Sequence, residues 1–387
     1  MQSPFTFNNK QLSLSRFPVD KNNPTLQAWD AADEYLINYL NENNLLHNAP
    51  RILIFNDAFG ALSLSCAHLQ VFSVNDSYVS QQGLQHNLQQ NQQHVEITSN
   101  SLTLLNSLDE LPKNVDIILY KIPKSKSLLT EQLIKIDNAY DENTTFIAAA
   151  RAKDIHSATL KVFEKYIGST KTSLAVKKAR LVFSQLNSKL RATNPFPTTW
   201  PLENTNFTIL NHANVFAREQ LDLGARFFIQ NLPQLKENQQ VIDLGCGNGV
   251  IGLSLLAQQK PAIQHSVKLN FIDESYMAIA SAKANIKNNL TELLAQCNFI
   301  WNDCLTDIEA NSADLILCNP PFHQQHAVTD HIAWQMFTGS HSVLKKGGEL
   351  RIIGNRQLGY HAKLAKIFNK VTLIASNKKF VIIKAFK

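Results

Sequence analysis

The feature that most limits what this chain can fold into is that it carries the same pattern twice. Ser275-Tyr276 followed by Asn285 recurs as Ser77-Tyr78 followed by Asn87, and Asp314-Leu-Ile-Leu-Cys318 recurs as Asp116-Ile-Ile-Leu-Tyr120, both at an offset of 198. Further on the offset becomes 205, where Arg356, His361 and Phe368 answer to Arg151, His156 and Phe163. A chain of 387 residues built this way is expected to form two cores of like architecture, each large enough to stand without staples. Three prolines, Pro195, Pro197 and Pro201, interrupt both helix and ladder pairing between the copies. The reading is therefore a domain over 1–190, a linker over 191–204 and a second domain over 205–387.

Within each copy short β-branched runs alternate with helical patterns. Val241-Ile-Asp, Leu269-Asn-Phe-Ile-Asp, Phe299-Ile-Trp, Leu315-Ile-Leu and Leu350-Arg-Ile-Ile read as strands, and Met277 to Asn288 as a helix. This is the βαβ pattern of an α/β fold: a mostly parallel sheet, Rossmann-like, with helices on both faces. Ligands in such sheets bind at the carboxyl ends of the strands, so the residues just after each strand are where chemistry is expected.

Composition narrows the setting. The five cysteines, Cys66, Cys246, Cys297, Cys304 and Cys318, form no CxxC pair and are odd in number, against a disulfide framework or a zinc site. No metal is expected. The first residues show no basic stretch followed by an apolar run, and no apolar run reaches the roughly 18 residues of a membrane span. A cytoplasmic protein without a membrane segment is expected. The net charge of +6 is unevenly spread: residues 151–191 hold ten Lys/Arg against two acids, and 345–387 eleven against one. Such clustering suits a polyanion binder, with solvated faces as the plain alternative.

After the first strand of the second copy stands Asp243-Leu-Gly245-Cys246-Gly247-Asn-Gly249, entering a helical run. Glycines here let backbone amides approach a ligand closely. Val250 stands where a dinucleotide fingerprint requires a third glycine, so the spacing is GxGxG. Asp273, at the end of the next strand, is placed to accept hydrogen bonds from two ribose hydroxyls.

After the fourth strand stands Asn319-Pro320-Pro321-Phe322. An exocyclic amine on an aromatic ring is a poor nucleophile because its lone pair is delocalised. The Asn319 side-chain oxygen and the Pro320 carbonyl are neutral acceptors for the two N–H bonds of such an amine, suited to a nitrogen whose proton turns acidic only after it has reacted. The successive prolines fix φ and hold that carbonyl outward, and Phe322 offers a ring on which a flipped base stacks.

Asp243-x-Gly245-x-Gly247-x-Gly249 with Asp273 resembles the S-adenosyl-L-methionine site of class I methyltransferases. The resemblance implies that Gly245 and Gly247, in one loop with Cys246 and Gly249, line the methionine moiety. It further implies that Asp273 holds the ribose and that Asn302 and Asp303 contact the adenine. The Asn319 to Phe322 motif resembles the signature of enzymes that methylate amino groups of adenine, cytosine, guanine or glutamine. The whole chain is similar to the bacterial ribosomal RNA guanine-N2 methyltransferases, and more to the large-subunit than to the small-subunit members. Leu26 to Tyr35 and Asn211 to Phe216 share in that likeness. It implies protein-free 23S ribosomal RNA as substrate. Alternatives are small-subunit RNA, a protein glutamine or DNA base as acceptor, or an RNA-binding protein with a decayed site. Two fused similar domains make a monomer the expectation.

The first copy departs where chemistry needs it. Asn56-Asp-Ala-Phe-Gly60 lacks two of the three glycines, and Lys121-Ile-Pro-Lys124 stands where Asn319 to Phe322 stands in the second. A cation cannot accept amine hydrogens, so this copy is read as inactive in catalysis. Lys121, Lys124, Lys177, Lys178 and Arg180 are its candidate RNA contacts, joined by His323 beside the second copy's motif. His326 is as readily a solvated loop histidine. Phe216 either covers the cofactor or packs in the core, with Asp222 and Arg226 equally open; Trp301 and Trp334 are read as core.

Overall fold

The computed structural model describes residues 4–8, 10–19, 26–93, 101–321 and 326–387, with side chains in the last range described from 331 onward. The chain divides into two compact units between Pro195 and Phe196. The first comprises β1 (Phe5–Phe7), β2 (Lys10–Leu12), α1 (Ala31–Glu42), β3 (Ile52–Phe55), α2 (Ala61–Ser65), β4 (Val71–Asn75), α3 (Tyr78–Gln90), β5 (Leu102–Asn106), β6 (Ile117–Lys121), α4 (Lys126–Ala139), β7 (Thr145–Arg151), α5 (Ser157–Tyr166), β8 (Thr170–Thr172) and β9 (Ala179–Ser184). The second comprises β10 (Thr198–Pro201), β11 (Thr208–Asn211), α6 (Leu223–Ile229), β12 (Gln240–Leu244), α7 (Val250–Ala257), α8 (Pro261–Ser266), β13 (Lys268–Asp273), α9 (Tyr276–Asn289), β14 (Cys297–Trp301), β15 (Ala313–Cys318), α10 (His326–Val343), β16 (Leu344–Asn355), α11 (Tyr360–Leu364), β17 (Lys370–Ser376) and β18 (Phe380–Phe386).

The duplication is plain in the topology. One sheet runs β5-β4-β3-β6-β7-β9-β8 and the other β14-β13-β12-β15-β16-β18-β17. In each, the first five strands are parallel and the last two antiparallel. Strand alternation places a core on both faces. In β12, Val241 joins the apolar cluster under α7 and α9, while Ile242 and Leu244 join the one under α10. Each such buried side chain contributes about 1.5–3 kcal/mol. The order in which strands are added reverses at β12, from β13 and β14 on one side to β15 and β16 on the other, opening a crevice at the carboxyl ends of β12 and β15.

Local devices recur too. Ser77 and Ser275 cap α3 and α9 through the amides of Ser80 and Ala278. Asn87 and Asn91 each exchange two hydrogen bonds with the backbone of Ser15 and Ser13, and Asn285 and Asn289 do the same with Leu210 and Thr208. Asparagines one helical turn apart thus act as false strand neighbours, tying the segment that precedes each sheet to one helix face.

The expected linker needs correction in its second half. Thr198–Pro201 pair antiparallel with Thr208–Asn211. Pro201 is tolerated because it ends a two-stranded ladder, where its missing N–H costs at most one bond. Among the described residues no helix is long and apolar enough to cross a membrane.

Candidate active site

The glycine loop leaves β12 with Gly245, Gly247 and Gly249 all at positive φ, 68°, 55° and 76°. Gly249 caps α7 where a Cβ would stand 2.9 Å from the Ala282 Cβ, so its glycine is set by packing as well as by φ. Gly247 differs: a Cβ there would meet nothing within 4 Å. Its amide points to the neighbouring strand end and donates to Asp273 Oδ2 at 2.8 Å, while the Ser275 amide donates to Oδ1 at 2.9 Å. Asp273 is half-buried. These two backbone bonds hold the carboxylate at the end of β13, beside the glycine loop. Cys246 does not face that space. Its side chain belongs to the apolar core and its amide is spent on the Ile272 carbonyl.

Asp243 sits beneath the loop, 2% exposed, with Oδ2 accepting the Gly252 amide at 2.9 Å. Burial pushes its carboxyl from an ordinary 3.8 up to about 7, against the Gly252 bond and helped by Asp273. A folded-state value above the unfolded one means the native chain holds the proton more tightly. The stability this gives is complete below 3.8 and is lost as pH rises to about 7. Asp243→Asn is expected to flatten that fall, read from denaturant midpoints at pH 4, 5.5 and 7.5. Parallel wild-type and variant curves would refute it.

Asn319 follows β15 directly. Its Oδ1 is buried and has no hydrogen-bond partner among the described residues. Leaving such an acceptor orphaned costs about 1–3 kcal/mol, which folded chains accept chiefly where a ligand supplies the donor. Pro320 is buried and Pro321 exposed. Phe322 and His323 lie outside the described residues, as does the His326 side chain. Met336 of α10 links the two halves of the pocket: its Cε is 3.1 Å from where a Gly245 Cβ would be, and its Sδ 3.8 Å from Cys318 Sγ.

After β14, Asn302 and Asp303 are both 6% exposed, but their tasks differ. Asn302 donates to the Thr306 carbonyl at 2.6 Å and accepts from the Asp303 amide at 2.9 Å. Its side chain shapes the loop. Asp303 Oδ2 accepts from Gln335 Nε2 of α10 at 3.0 Å. Sequence reading missed Gln335, Met336 and the Asn248 side chain, which donates to Asn211 Oδ1 at 2.9 Å and ties the glycine loop to β11.

In the first unit the equivalent ground is filled. Asn56 takes the left-handed turn (φ 61°) that Gly245 takes in the second, and its amide bonds the Lys121 carbonyl and Gln132 Oε1. Lys121 itself is corrected as an RNA contact. Its ammonium lies 2.8 Å from Asp30 Oδ1 and 2.6 Å from Asp33 Oδ1, with the side chain 14% exposed. Burial opposes its charge, yet Asp33 and Asp30 outweigh that and raise its pKa. Asp30 and Asp33 also form the capping box of α1, so the pair locks β6 to that helix.

Lys124, Lys177 and Lys178 are exposed. Lys177 meets Glu34 at 2.8 Å with its side chain 72% exposed. Arg180 is half-buried in β9, its Nε without a partner among the described residues. Phe216 is 59% exposed, so core packing is excluded for it. Asp222 caps α6 and Arg226 pairs with Glu203, both structural tasks. Trp301 is half-buried and donates to the Glu274 carbonyl, whereas Trp334, expected in the core, is 40% exposed.

Residues 2–188 match the family model described as RLMG N-terminal domain, and residues 206–384 the one described as Methyltransferase small domain. The chain is 59% identical over its full length and that of the relative to "Ribosomal RNA large subunit methyltransferase G" of Colwellia psychrerythraea. It is 50% identical to the protein of the same name in Pseudoalteromonas translucida, covering 98% of this chain and 97% of the relative. Among solved structures, the T. thermophilus 16S rRNA N2 G1207 methyltransferase in complex with AdoMet and guanosine aligns with a TM-score of 0.76 at 15% identity, covering 100% of this chain and 97% of that one. At that identity the likeness speaks for the fold.

Proposed function

We propose, from the premise that this chain belongs to the ribosomal RNA large subunit methyltransferase G family, that it transfers a methyl group from S-adenosylmethionine to the exocyclic N2 of a guanine in 23S ribosomal RNA. The observation that carries this reading is the buried Asn319 Oδ1 at the end of β15, which has no hydrogen-bond partner among the described residues. It is a neutral acceptor in want of a donor, which an exocyclic amine supplies.

The cofactor brings an electrophilic sulfonium methyl. The residues fit its binding: the open space over Gly247 admits a ligand close to the backbone, the Asp273 carboxylate is held beside that space at the end of β13, where ribose hydroxyls would meet it, and Asp303 borders the next loop. Asn319 Oδ1 and the Pro320 carbonyl accept the two amine hydrogens, which turns the nitrogen lone pair out of the base plane. Once nitrogen gains its fourth bond the N–H becomes strongly acidic, and a neutral acceptor passes the proton on to solvent. Phe322 supplies the stacking face for the extruded base.

Asp273→Ala is expected to weaken S-adenosylmethionine binding about 10- to 100-fold, the loss of one or two hydrogen bonds to a charged acceptor. Calorimetric titration measures this; unchanged affinity would remove Asp273 from the site. The substrate reading is tested by offering labelled cofactor with protein-free 23S RNA, protein-free 16S RNA or glutamine-bearing protein. Label in 23S RNA is expected; label confined to either other acceptor would overturn the substrate. The active species is proposed to be a monomer, with the first unit positioning RNA.

A further inference from the structure

What the first unit has kept is as informative as what it has lost. Its glycine loop and its equivalent of Asn319 are gone, yet one surface element persists in both units. In the second unit the turn between β17 and β18 carries Lys378 and Lys379, both exposed, and the Arg356 amide at the end of β16 donates to the Lys379 carbonyl at 3.0 Å. In the first, the turn between β8 and β9 carries Lys177 and Lys178, and the Ala152 amide just after β7 donates to the Lys178 carbonyl at 2.8 Å. Each unit thus presents a Lys-Lys pair at the same hairpin tip.

Register fixes which end of the sheet this is. Cys318 pairs with Ile352, Ile352 with Ile383, and Asn355 with Phe380, so the tip extends past the strand ends on the side where Asn319 leaves β15. At about 3.4 Å per residue and about 4.8 Å per strand, Lys379 stands on the order of 15 Å from Asn319. The remaining basic segment is split by the same register. Lys370 pairs opposite Phe386 at the far end, where Lys346 also lies and where Lys345 is already engaged by Asp314.

The tips are held for display. Asn377 Oδ1 accepts the amides of Lys379 and Phe380 at 2.8 and 2.7 Å, Arg356 donates to the Asn377 carbonyl at 3.0 Å, and the Lys379 ammonium rests 5.2 Å over the Phe380 ring. In the first unit Lys177 and Lys178 both occupy left-handed φ, 47° and 67°, inside the Val176–Ala179 bridge. That two-residue turn favours Asn and Gly, so two lysines there give up stability for the charge they place.

We infer that the Lys378–Lys379 tip, matched by Lys177–Lys178, is a phosphate-gripping element that seats the RNA backbone beside the methyl-acceptor pocket. This rests on the proposed function, and its test is arranged to separate the two. The full chain with Lys378→Gln and Lys379→Gln, and the chain with Lys177→Gln and Lys178→Gln, are titrated with protein-free 23S RNA across a salt series, beside a far-end control with Lys346→Gln and Lys370→Gln. Each tip variant is expected to bind about tenfold more weakly near 0.15 M salt and to show a log–log salt slope shallower by about 1.5, while the control matches wild type. For the Lys378–Lys379 variant, KM for RNA rises while kcat at saturating RNA and S-adenosylmethionine affinity stay unchanged, a split that a folding defect would not produce. Wild-type slopes in the tip variants, or an equal change in the control, would overturn the inference. Binding is read apart from methyl transfer, so tip-dependent binding without methylation would fault the proposed function and leave the grip standing.

Discussion

Asn319→Ala is expected to lower kcat by about 10²–10³-fold at saturating substrates while leaving S-adenosylmethionine affinity unchanged. The acceptor it removes meets the amine only when RNA is bound. In the free chain Oδ1 is buried without a partner among the described residues, so deleting it relieves an unmet desolvation cost of about 1–3 kcal/mol. Thermal stability should therefore hold or rise as activity collapses. Single-turnover rates with pre-bound RNA, set beside the melting midpoint, check both halves. A variant that loses stability and cofactor binding together would make Asn319 a structural residue.

Lys121→Met should destabilise the first unit by about 3–5 kcal/mol, because it strands Asp30 and Asp33 beside each other at the start of α1. Asp33 is 5% exposed; burial already pushes its carboxyl up to about 6, against the pull of Lys121 and with Asp30 and Asp57 adding to the rise. Without the ammonium that value climbs further, so the penalty is full above neutral pH and shrinks as acid protonates the pair. Hydrogen exchange of β3 and β6 amides reads this local stability. Adding Asp33→Asn to the variant should restore much of the loss; no restoration would mean that Lys121 acts through packing alone.

Lys121 also marks the boundary of what sequence reading reaches. Its position opposite Asn319 was legible from the 198-residue offset, and so was the loss of amine-accepting chemistry. Its partners were not, because they lie 91 and 88 residues away on a helix whose approach to β6 only tertiary packing decides. The sheets were legible because strand and helix periods alternate cleanly, and the glycine loop because GxGxG spacing has few other uses. What the side chains of Cys246 and Asn302 do was not legible. Both sit beside residues that face the crevice, and sequence does not say which neighbour on a turn points inward. The asparagine clamps did leave a signal: Asn87 and Asn285 stood out as a repeat, and Asn91 and Asn289 lie one turn further along the same faces. Without the segments they grip, the pattern marked only the duplication. The linker erred because three prolines say where ladders are hindered, not where a short hairpin tolerates one at its end.

Asn319 is proposed to hold the exocyclic amine of guanine. The most direct measurement is nucleoside analysis, by chromatography and mass, of 23S RNA methylated by the purified full chain. N2-methylguanosine at a single site is expected, absent when Asn319→Ala replaces the wild type; methyl on a ring carbon, a ribose or another base would contradict that role.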